Sequence, residues 1–511
     1  MIERALLSVY DKRGLAAFAH GLADLGVELV ASGGTSAFLS EHGLPVTRVD
    51  ELTDVPELLD GRAKTLHPAI HAAILARRDV ESDVAVLEEK AIRPFDLVCV
   101  NLYPFRRAVA ENGPEEHAIE LIDVGGPALL RGAAKNFAHV LPVCSVDRYE
   151  PLLRELRESG DVSGATRREL AAEAFAHTAA YDAAIAQWFS RDEAFPERLV
   201  LSLEKERQLP YGENPHQRAA LYVEAGRRGD VLSRIDQRSG PELSFNNLND
   251  LDAARALVGE FPLPACAIVK HGNPCGCALA SGLDEAYAQA LACDPVSAYG
   301  GVLALNRRVE ASLADEIAAR FVEVVIAPGY SDEALAILEQ KQRMRVVEDR
   351  ERPGSAPERA YRHILGGVLV QDADAVVDDR AGMRVVTTRA PSEPTWGDLL
   401  FAWRVAKHVA SNAIVLVKEL RTIGIGGGQT SRVDAVRIAL AKARELGHDP
   451  RGSALASDAF FPFPDGARLA LEAGVAALIQ PGGSKRDSDV IDAVEEARAA
   501  MVFTSRRHFR H

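Results

Sequence analysis

Short apolar runs alternate with amphipathic stretches along most of this 511-residue chain, and that rhythm restricts the fold more than any other feature. Leu6-Leu7-Ser8-Val9 reads as a strand, Leu15, Phe18, Leu22 and Leu25 follow at helical spacing, and Val27-Glu28-Leu29-Val30-Ala31 reads as the next strand. A strand, a helix and a second strand in that order imply parallel pairing with crossover helices. Phe95–Val100 and Val140–Cys144 continue the series, and Pro142 puts the latter at a sheet edge. A long helix through Phe175, Tyr181, Ile185 and Phe189 closes this half.

The charged, proline-punctuated stretch Arg191–Pro210 marks a boundary, giving domains of residues 1–199 and 200–511. Beyond it the alternation resumes. Strands are expected at Ala267–Val269, Val302–Leu305, Val324–Ala327, Ala413–Val417 and Ala476–Ile479, and helices at Trp396–Ser411, Ser431–Leu446 and Asp487–Ala500. The segment Asp349–Glu358 separates two lobes, with the division near residues 350–360. The reading is α/β throughout.

Composition narrows the function. Charged residues at 26% and apolar ones at 47% describe a globular chain. A net charge of −15 argues against general nucleic-acid binding. No apolar run reaches the ~20 residues of a membrane helix. Six scattered cysteines and a strand-like start without a signal-peptide layout favour the cytoplasm. An acidic protein that binds an anionic ligand must gather its cations locally.

Four segments in the first half do that. Ser32-Gly33-Gly34-Thr35 follows a strand and opens a helix, where free amides favour phosphate. Gly61–Pro68 carries Arg62, Lys64 and Thr65. Asn101-Leu102-Tyr103-Pro104-Phe105 ends a strand, and Asp123-Val124-Gly125-Gly126 leads into a helix bearing Arg131, Lys135 and Asn136. Each also has a structural reading: a tight turn, a solvated lysine, a satisfied tyrosine, a capping aspartate. As a set, together with Asp11-Lys12, they resemble the inosine-monophosphate cyclohydrolase domain of the bifunctional purine biosynthesis enzymes. The resemblance implies a methylglyoxal-synthase-like parallel-sheet domain that closes a formylated aminoimidazole carboxamide nucleotide (FAICAR) to IMP with loss of water. Lys64, Tyr103, Asp123 and Lys135 would be catalytic, with Lys135 the proton shuttle. Lys12, Ser32, Gly33, Gly34, Thr35, Arg62, Thr65, Asn101 and Gly125 would bind substrate. Tyr10 departs from the family pattern, which has a smaller hydroxyl residue there.

In the second half, Ile268-Val269-Lys270-His271-Gly272-Asn273 ends a strand with a residue able to exchange protons near neutral pH and one able to stabilise an oxyanion. With Tyr211-Gly212, Asp294–Gly300, Ser411-Asn412, Gly426–Arg432, Ser457–Phe463, Gln480–Ser484 and Thr504–Phe509, it resembles the aminoimidazole-carboxamide ribonucleotide (AICAR) formyltransferase domain of the same family. That implies a larger two-lobed cytidine-deaminase-like α/β region that transfers formyl from 10-formyltetrahydrofolate to AICAR, without a metal. His271 would manage the amine proton, Lys270 the oxyanion, and Asn412 the orientation. Tyr211, Gly300, Glu323, Arg432, Phe460 and Arg507 would bind nucleotide, with Asp465, Ser484 and Lys485 near the folate. Pro210 stands where the family often has arginine. The resemblance further implies a homodimer acting on small molecules, with no nucleic-acid or membrane partner.

Three rival readings have sequence support. Pro274-Cys275-Gly276-Cys277 is similar to a zinc-deaminase ligand pair with one residue too few, and no His-x-Glu precedes it. Gly424-Ile425-Gly426-Gly427-Gly428 starts like a dinucleotide fingerprint but lacks its last glycine. The motifs alone also leave open a nucleotide-binding protein without catalysis.

Overall fold

A computed structural model describes residues 2–53, 64–111, 113–225, 235–350 and 359–511. The chain divides into two compact units, Met1–Glu204 with Glu224–Gly226, and Lys205–Val223 with Arg227–His511. The first holds a parallel five-stranded sheet in the order β3-β2-β1-β4-β5: β1 (Arg4–Val9), β2 (Glu28–Ala31), β3 (Thr47–Arg48), β4 (Leu97–Asn101) and β5 (Leu141–Val143). Period-two alternation divides its side chains between two cores. Leu7, Leu29 and Cys99 pack with helices Leu15–Asp24 and Tyr149–Ser159, while Leu6, Val30 and Val98 face helices Pro68–Leu75, Gly125–Lys135 and Gly164–Phe189. Pro142 lies in edge strand β5, where its missing N–H is tolerated.

Two ribbons, β6 (Leu203–Leu209) with β7 (Ala219–Glu224) and β14 (Arg359–Ile364) with β15 (Gly367–Asp372), stand apart from the larger sheet. That sheet has twelve strands: β8 (Asp236–Ser239), β9 (Ala265–Lys270), β10 (Asn273–Leu279), β11 (Val302–Leu305), β12 (Val324–Ala327), β13 (Arg345–Glu348), β16 (Arg384–Val385), β17 (Ile414–Lys418), β18 (Arg421–Gly426), β19 (Ala454–Ser457), β20 (Ala477–Gln480) and β21 (Ala500–Phe503). Their order is β16-β21-β20-β19-β17-β18-β10-β9-β11-β12-β13-β8. This is one topology used twice. In each lobe an edge strand precedes a helix, then an antiparallel hairpin, then three parallel strands joined by helices. The two copies meet where β10 pairs antiparallel with β18 at Ala278 and Arg421. Helices Phe245–Gly259 and Glu393–Lys407 share one continuous core on one face, and the other face carries a separate core for each lobe. Residues 351–358, where the lobe division is expected, lie outside the described residues.

Candidate active sites

In the first unit the strand order reverses between β1 and β4, and the crevice beyond their carboxyl ends is where an open α/β sheet offers space to a ligand. The Asn101 side chain ties the two strands together there. Its Oδ1 accepts from the Tyr10 and Asp11 amides at 2.6 and 3.0 Å, and its Nδ2 donates to the Asp11 carbonyl at 2.9 Å. Thr35 is likewise engaged, its hydroxyl bonding both the amide and the carbonyl of Val9 at 3.1 Å. Ser32 is buried and its hydroxyl meets that of Ser8 at 2.8 Å. Helix Gly33–Glu41 has no side-chain cap at Ser32, and a Cβ at Gly34 would meet nothing within 4 Å. The first amides of this helix therefore open beside Lys12, whose ammonium lies 6.0 Å from the centre of the Phe38 ring.

Across the crevice, Asp123 Oδ1 accepts the Gly126 amide at 2.8 Å, and the Asp123 amide donates to the Tyr181 hydroxyl at 2.8 Å. Burial pushes the Asp123 carboxyl up, opposed by the Gly126 and Tyr103 amides and by the charge of Lys64. Thr65 is buried against Gly125, where a Cβ would come within 2.7 Å of its hydroxyl. The Tyr103 ring meets Tyr10 edge-on with centroids 5.7 Å apart. Lys64, Thr65, Tyr103, Asp123 and Gly125 thus belong to one group, and Arg62 lies outside the described residues.

Lys135 does not join that group. It ends helix Gly125–Lys135 on the exposed surface, while the Asp123 end of the helix is at the carboxyl edge of the sheet. Ten residues at 1.5 Å rise separate the ends by ~15 Å, more than a four-carbon stem spans. A crossover helix returns to the opposite edge before the next strand, and sequence spacing alone does not show which end a residue occupies.

In the second unit, strand direction gathers the expected residues along one sheet edge. The carboxyl ends of β9, β18, β19, β20 and β21 lie there, with the starts of β11, β12 and β17. Lys270 and His271, Gly300, Glu323, Asn412, Arg432, Phe460 and Asp465, Ser484 and Lys485, and Arg507 all follow or precede those ends. Tyr211 lies instead in the loop between β6 and β7. A cleft of about 400 Å³ is lined by Lys270, His271, Asn273, Gly427, Asp294 and Lys442. A second, of about 420 Å³, is lined by Asn412, Arg432, Phe460, Asp465, Arg507 and Phe509. Asn273 connects the residues between them: its Oδ1 accepts the Ala410 amide at 2.8 Å.

Lys270 Nζ donates to the Tyr299 carbonyl at 2.8 Å, which fixes the ammonium beside Gly300. Gly300 has φ +72°, and a Cβ there would sit 3.1 Å from the Phe321 ring, so a bare backbone is required. Glu323 pairs with Arg345 at 3.5 Å. Asn412 is held on both sides, donating to the Gln429 carbonyl at 2.8 Å and accepting from Arg432 at 2.6 Å. Arg432 also reaches Ser457 at 2.7 Å and the fully buried Asp458, which in turn accepts from the Ser411 hydroxyl. Asp458, Ser411 and the Lys442–Asp294 pair were not singled out from sequence as site residues. Their signal was the polar residue at a strand end or helix start, which is too common to select alone.

Two rival readings meet physical objections. A bulge between Pro274 and Gly276 turns Cys275 toward one core and Cys277 toward another, so their sulfurs lie on opposite faces. Burial raises both thiols, Cys275 to about 12. Gly424 and Gly426 lie inside β18, where a Cβ would come within 2.3 Å and 2.1 Å of the Ala439 and Ala435 carbonyl oxygens. Close helix–strand packing accounts for those glycines.

The chain is similar to known proteins along its whole length. The family described as "AICARFT/IMPCHase bienzyme" matches residues 133–442, more than half of the chain, and the MGS-like domain family matches residues 14–128. A Cereibacter sphaeroides protein named "Bifunctional purine biosynthesis protein PurH" is 49% identical over 100% of this chain and 99% of its own length. One of the same name from Anaeromyxobacter sp. is 50% identical over 100% of both. A solved structure titled "Crystal structure of ForH" is 39% identical with a TM-score of 0.34, covering 37% of this chain and 98% of that one. The chain belongs to the AICARFT/IMPCHase bienzyme family and is a bifunctional enzyme of purine biosynthesis with formyltransferase and cyclohydrolase activities.

Proposed function

We propose that the second unit transfers the formyl group of 10-formyltetrahydrofolate to the AICAR amine, and that the first unit closes the product to IMP. The observation that carries the transfer assignment is the position of Lys270 and His271 at a sheet edge, lining one cleft with Asn273 and Gly427. The AICAR amine attacks the formyl carbon, a C–N bond forms, and the bond from that carbon to folate nitrogen breaks. His271 takes the amine proton and delivers it to the departing folate nitrogen, and the Lys270 ammonium stabilises the oxyanion of the tetrahedral intermediate. Asn412, clamped by Gln429 and Arg432, orients the nucleotide. Arg432, Phe460 and Arg507 bind it from the second cleft, and Asp465, Ser484 and Lys485 contribute to the folate side of the edge. Tyr211, Gly300 and Glu323 complete the nucleotide set.

For cyclisation, the amides of Gly33 and Gly34 with Lys12 receive the phosphate. Ser32, Thr35, Asn101, Thr65 and Gly125 shape the crevice. The carboxamide nitrogen bonds to the formyl carbon as Lys64 polarises the formyl oxygen and Asp123 takes the carboxamide proton; that oxygen leaves as water with this proton and the one from the formamide nitrogen, and Tyr103 bounds the pocket. Orientation of the two reacting groups supplies up to ~7–11 kcal/mol in well-arranged intramolecular reactions, so the shaped crevice is a large part of catalysis. We assign Lys135 no step in its own unit; a proton-shuttle role would have to be exercised in another chain. A homodimer is supported by exposed Val296, Tyr299 and Phe321, and sedimentation velocity tests it.

The test is separate assay of the half-reactions in the full-length enzyme. Lys270→Ala and His271→Ala are expected to lower transfer by about 10²-fold or more and leave cyclisation at the parent rate, with Asp123→Asn giving the reverse. A variant that lost both, or neither, would contradict the division. Among the described residues, no helix is long and apolar enough to cross a membrane.

A further inference from the structure

The Lys270–His271 pair sits on an unusual support. Register between β9 and β10 pairs Lys270 with Asn273, so His271 and Gly272 form a two-residue hairpin loop. Both have positive φ, +53° and +70°, the pattern of a primed turn. Glycine adopts that backbone freely, but for histidine the left-handed region costs ~1–2 kcal/mol. Something must hold the turn. Asp250, buried on helix Phe245–Gly259, reaches up with both carboxylate oxygens. Oδ2 accepts the His271 amide at 3.0 Å, and Oδ1 accepts the Gly272 amide at 2.6 Å. Asn273 Nδ2 adds a bond to the His271 carbonyl at 3.2 Å.

The second lobe repeats the device. There the loop is Glu419-Leu420, with φ +56° and +57°. Asp398 accepts from the Glu419 amide at 3.1 Å and from the Leu420 amide at 2.7 Å. Asp250 and Asp398 each stand on the second turn of a helix capped by a serine, Ser244 and Ser392. Even the lysine is repeated, because Lys418 Nζ donates to the Arg451 carbonyl at 3.0 Å as Lys270 does to Tyr299. The copies differ at their tips. Only the first loop carries a histidine, and only that loop lines the cleft of about 400 Å³.

We propose that Asp250 is a positioning residue for formyl transfer, its carboxylate holding the His271-Gly272 turn so that the imidazole and the neighbouring Lys270 ammonium face the substrate. Charge-assisted bonds to two successive amides fix the peptide plane from which the imidazole projects. The Asp398 copy shows that the fold uses this device without chemistry, which supplies an internal control. The inference rests on the roles proposed above for Lys270 and His271.

The experiment compares Asp250→Asn, Asp398→Asn, Gly272→Ala and His271→Ala in the full-length enzyme. For each, kcat and KM of transfer are measured with the cyclisation rate and the melting temperature. Asp250→Asn is expected to lower transfer kcat by about 10- to 100-fold, with both KM values and the cyclisation rate within about threefold of the parent. Asp398→Asn is expected to lower melting temperature comparably while leaving transfer kcat within about twofold. Gly272→Ala strains the same turn while leaving the Asp250 carboxylate in place, its added Cβ meeting only the Asn249 side-chain amide at 3.7 Å, and the same loss of kcat is expected from it should Asp250→Asn not fold. Parental kcat in Asp250→Asn (or in Gly272→Ala, where that variant stands in for it), or an equal loss in Asp398→Asn, would overturn the inference. His271→Ala separates the two levels. Parental transfer in that variant would sink the catalytic reading and this inference together, whereas an inactive His271→Ala beside a normal Asp250→Asn would sink only the positioning role.

Discussion

Lys270 gives a hydrogen bond to the Tyr299 carbonyl at 2.8 Å, so the cation proposed for oxyanion stabilisation is anchored to the loop that ends in Gly300. Removing a preorganised donor of this kind typically costs ~2.7–4 kcal/mol of activation free energy. Lys270→Ala should therefore lower transfer kcat by about 10²–10³-fold. Lys418→Ala removes the matching bond in the other lobe and should leave the transfer rate unchanged. Steady-state assay of both variants checks the pair of outcomes.

Arg432 and Asp458 form a buried ion pair, their side chains 7% and 0% exposed. Taking away one partner leaves a buried charge without its counterion, a change that costs ~3–5 kcal/mol. Arg432→Met should lower the thermal midpoint of transfer activity and raise the KM for AICAR, because Asn412 loses its clamp as well. Arg432→Lys keeps the charge without the planar fork that serves Asn412, Ser457 and Asp458 together. It should rescue stability only in part. Thermal inactivation followed by the transfer assay reads both.

Acid should weaken the second unit through Glu260. Burial pushes this carboxyl up, but bonds from His408 and Lys407 outweigh burial and hold it at about 2. Lys407 Nζ and His408 Nε2 lie 2.9 and 3.1 Å from the same oxygen. Burial also pushes His408 down, so near neutral pH its ring is neutral and donates a hydrogen bond rather than a charge. A depressed carboxyl stabilises the fold fully above the unfolded value of roughly 4.3 and progressively less as pH falls toward the folded value. The contribution is on the order of 3 kcal/mol. Unfolding midpoints of the parent and Glu260→Gln should differ at about pH 6 and converge toward about pH 2. A constant difference would contradict this assignment.

Asp123 has the opposite sign. Burial raises its carboxyl, so its ionised form is disfavoured in the folded protein, and that cost is present once the pH exceeds the folded value. Asp123→Asn retains an oxygen for the Gly126 amide while removing the buried charge. It should keep or raise the melting temperature at neutral pH and slow cyclisation sharply, as a group retained for function rather than stability would. Lys64→Met removes a charge that holds the carboxyl down, so the acid limb of the cyclisation pH profile should move to higher pH.

Elements with a clear apolar period were legible in the sequence. Trp396–Ser411, expected as a helix, is Glu393–Lys407, and Ser431–Leu446 is Arg432–Glu445. The strand ending in Lys270 was visible, but its partner Asn273–Leu279 was not, because Asn-Pro-Cys-Gly lacks β-branched residues and contains proline. That strand forms nonetheless because Gly276 lets helix Leu283–Cys293 approach closely: a Cβ there would meet the Ala290 carbonyl oxygen. Tertiary packing overrode local preference. The duplication was invisible for a related reason. The two lobes share strand order and the Asp–hairpin device, yet matched positions carry different residues, such as His271 against Glu419. A residue's position was legible wherever a strand end sets it, as at Asn101 and Lys270. It was not legible where a helix sets it, as for Lys135.

The second hairpin is in effect an unemployed twin. Its Glu419-Leu420 tip has the same backbone and an aspartate beneath it in the same place, with no histidine and no glycine. On the roles proposed above for Lys270 and His271, a chain built this way can vary its second tip at little catalytic cost, and a tag or probe introduced there leaves the first tip untouched.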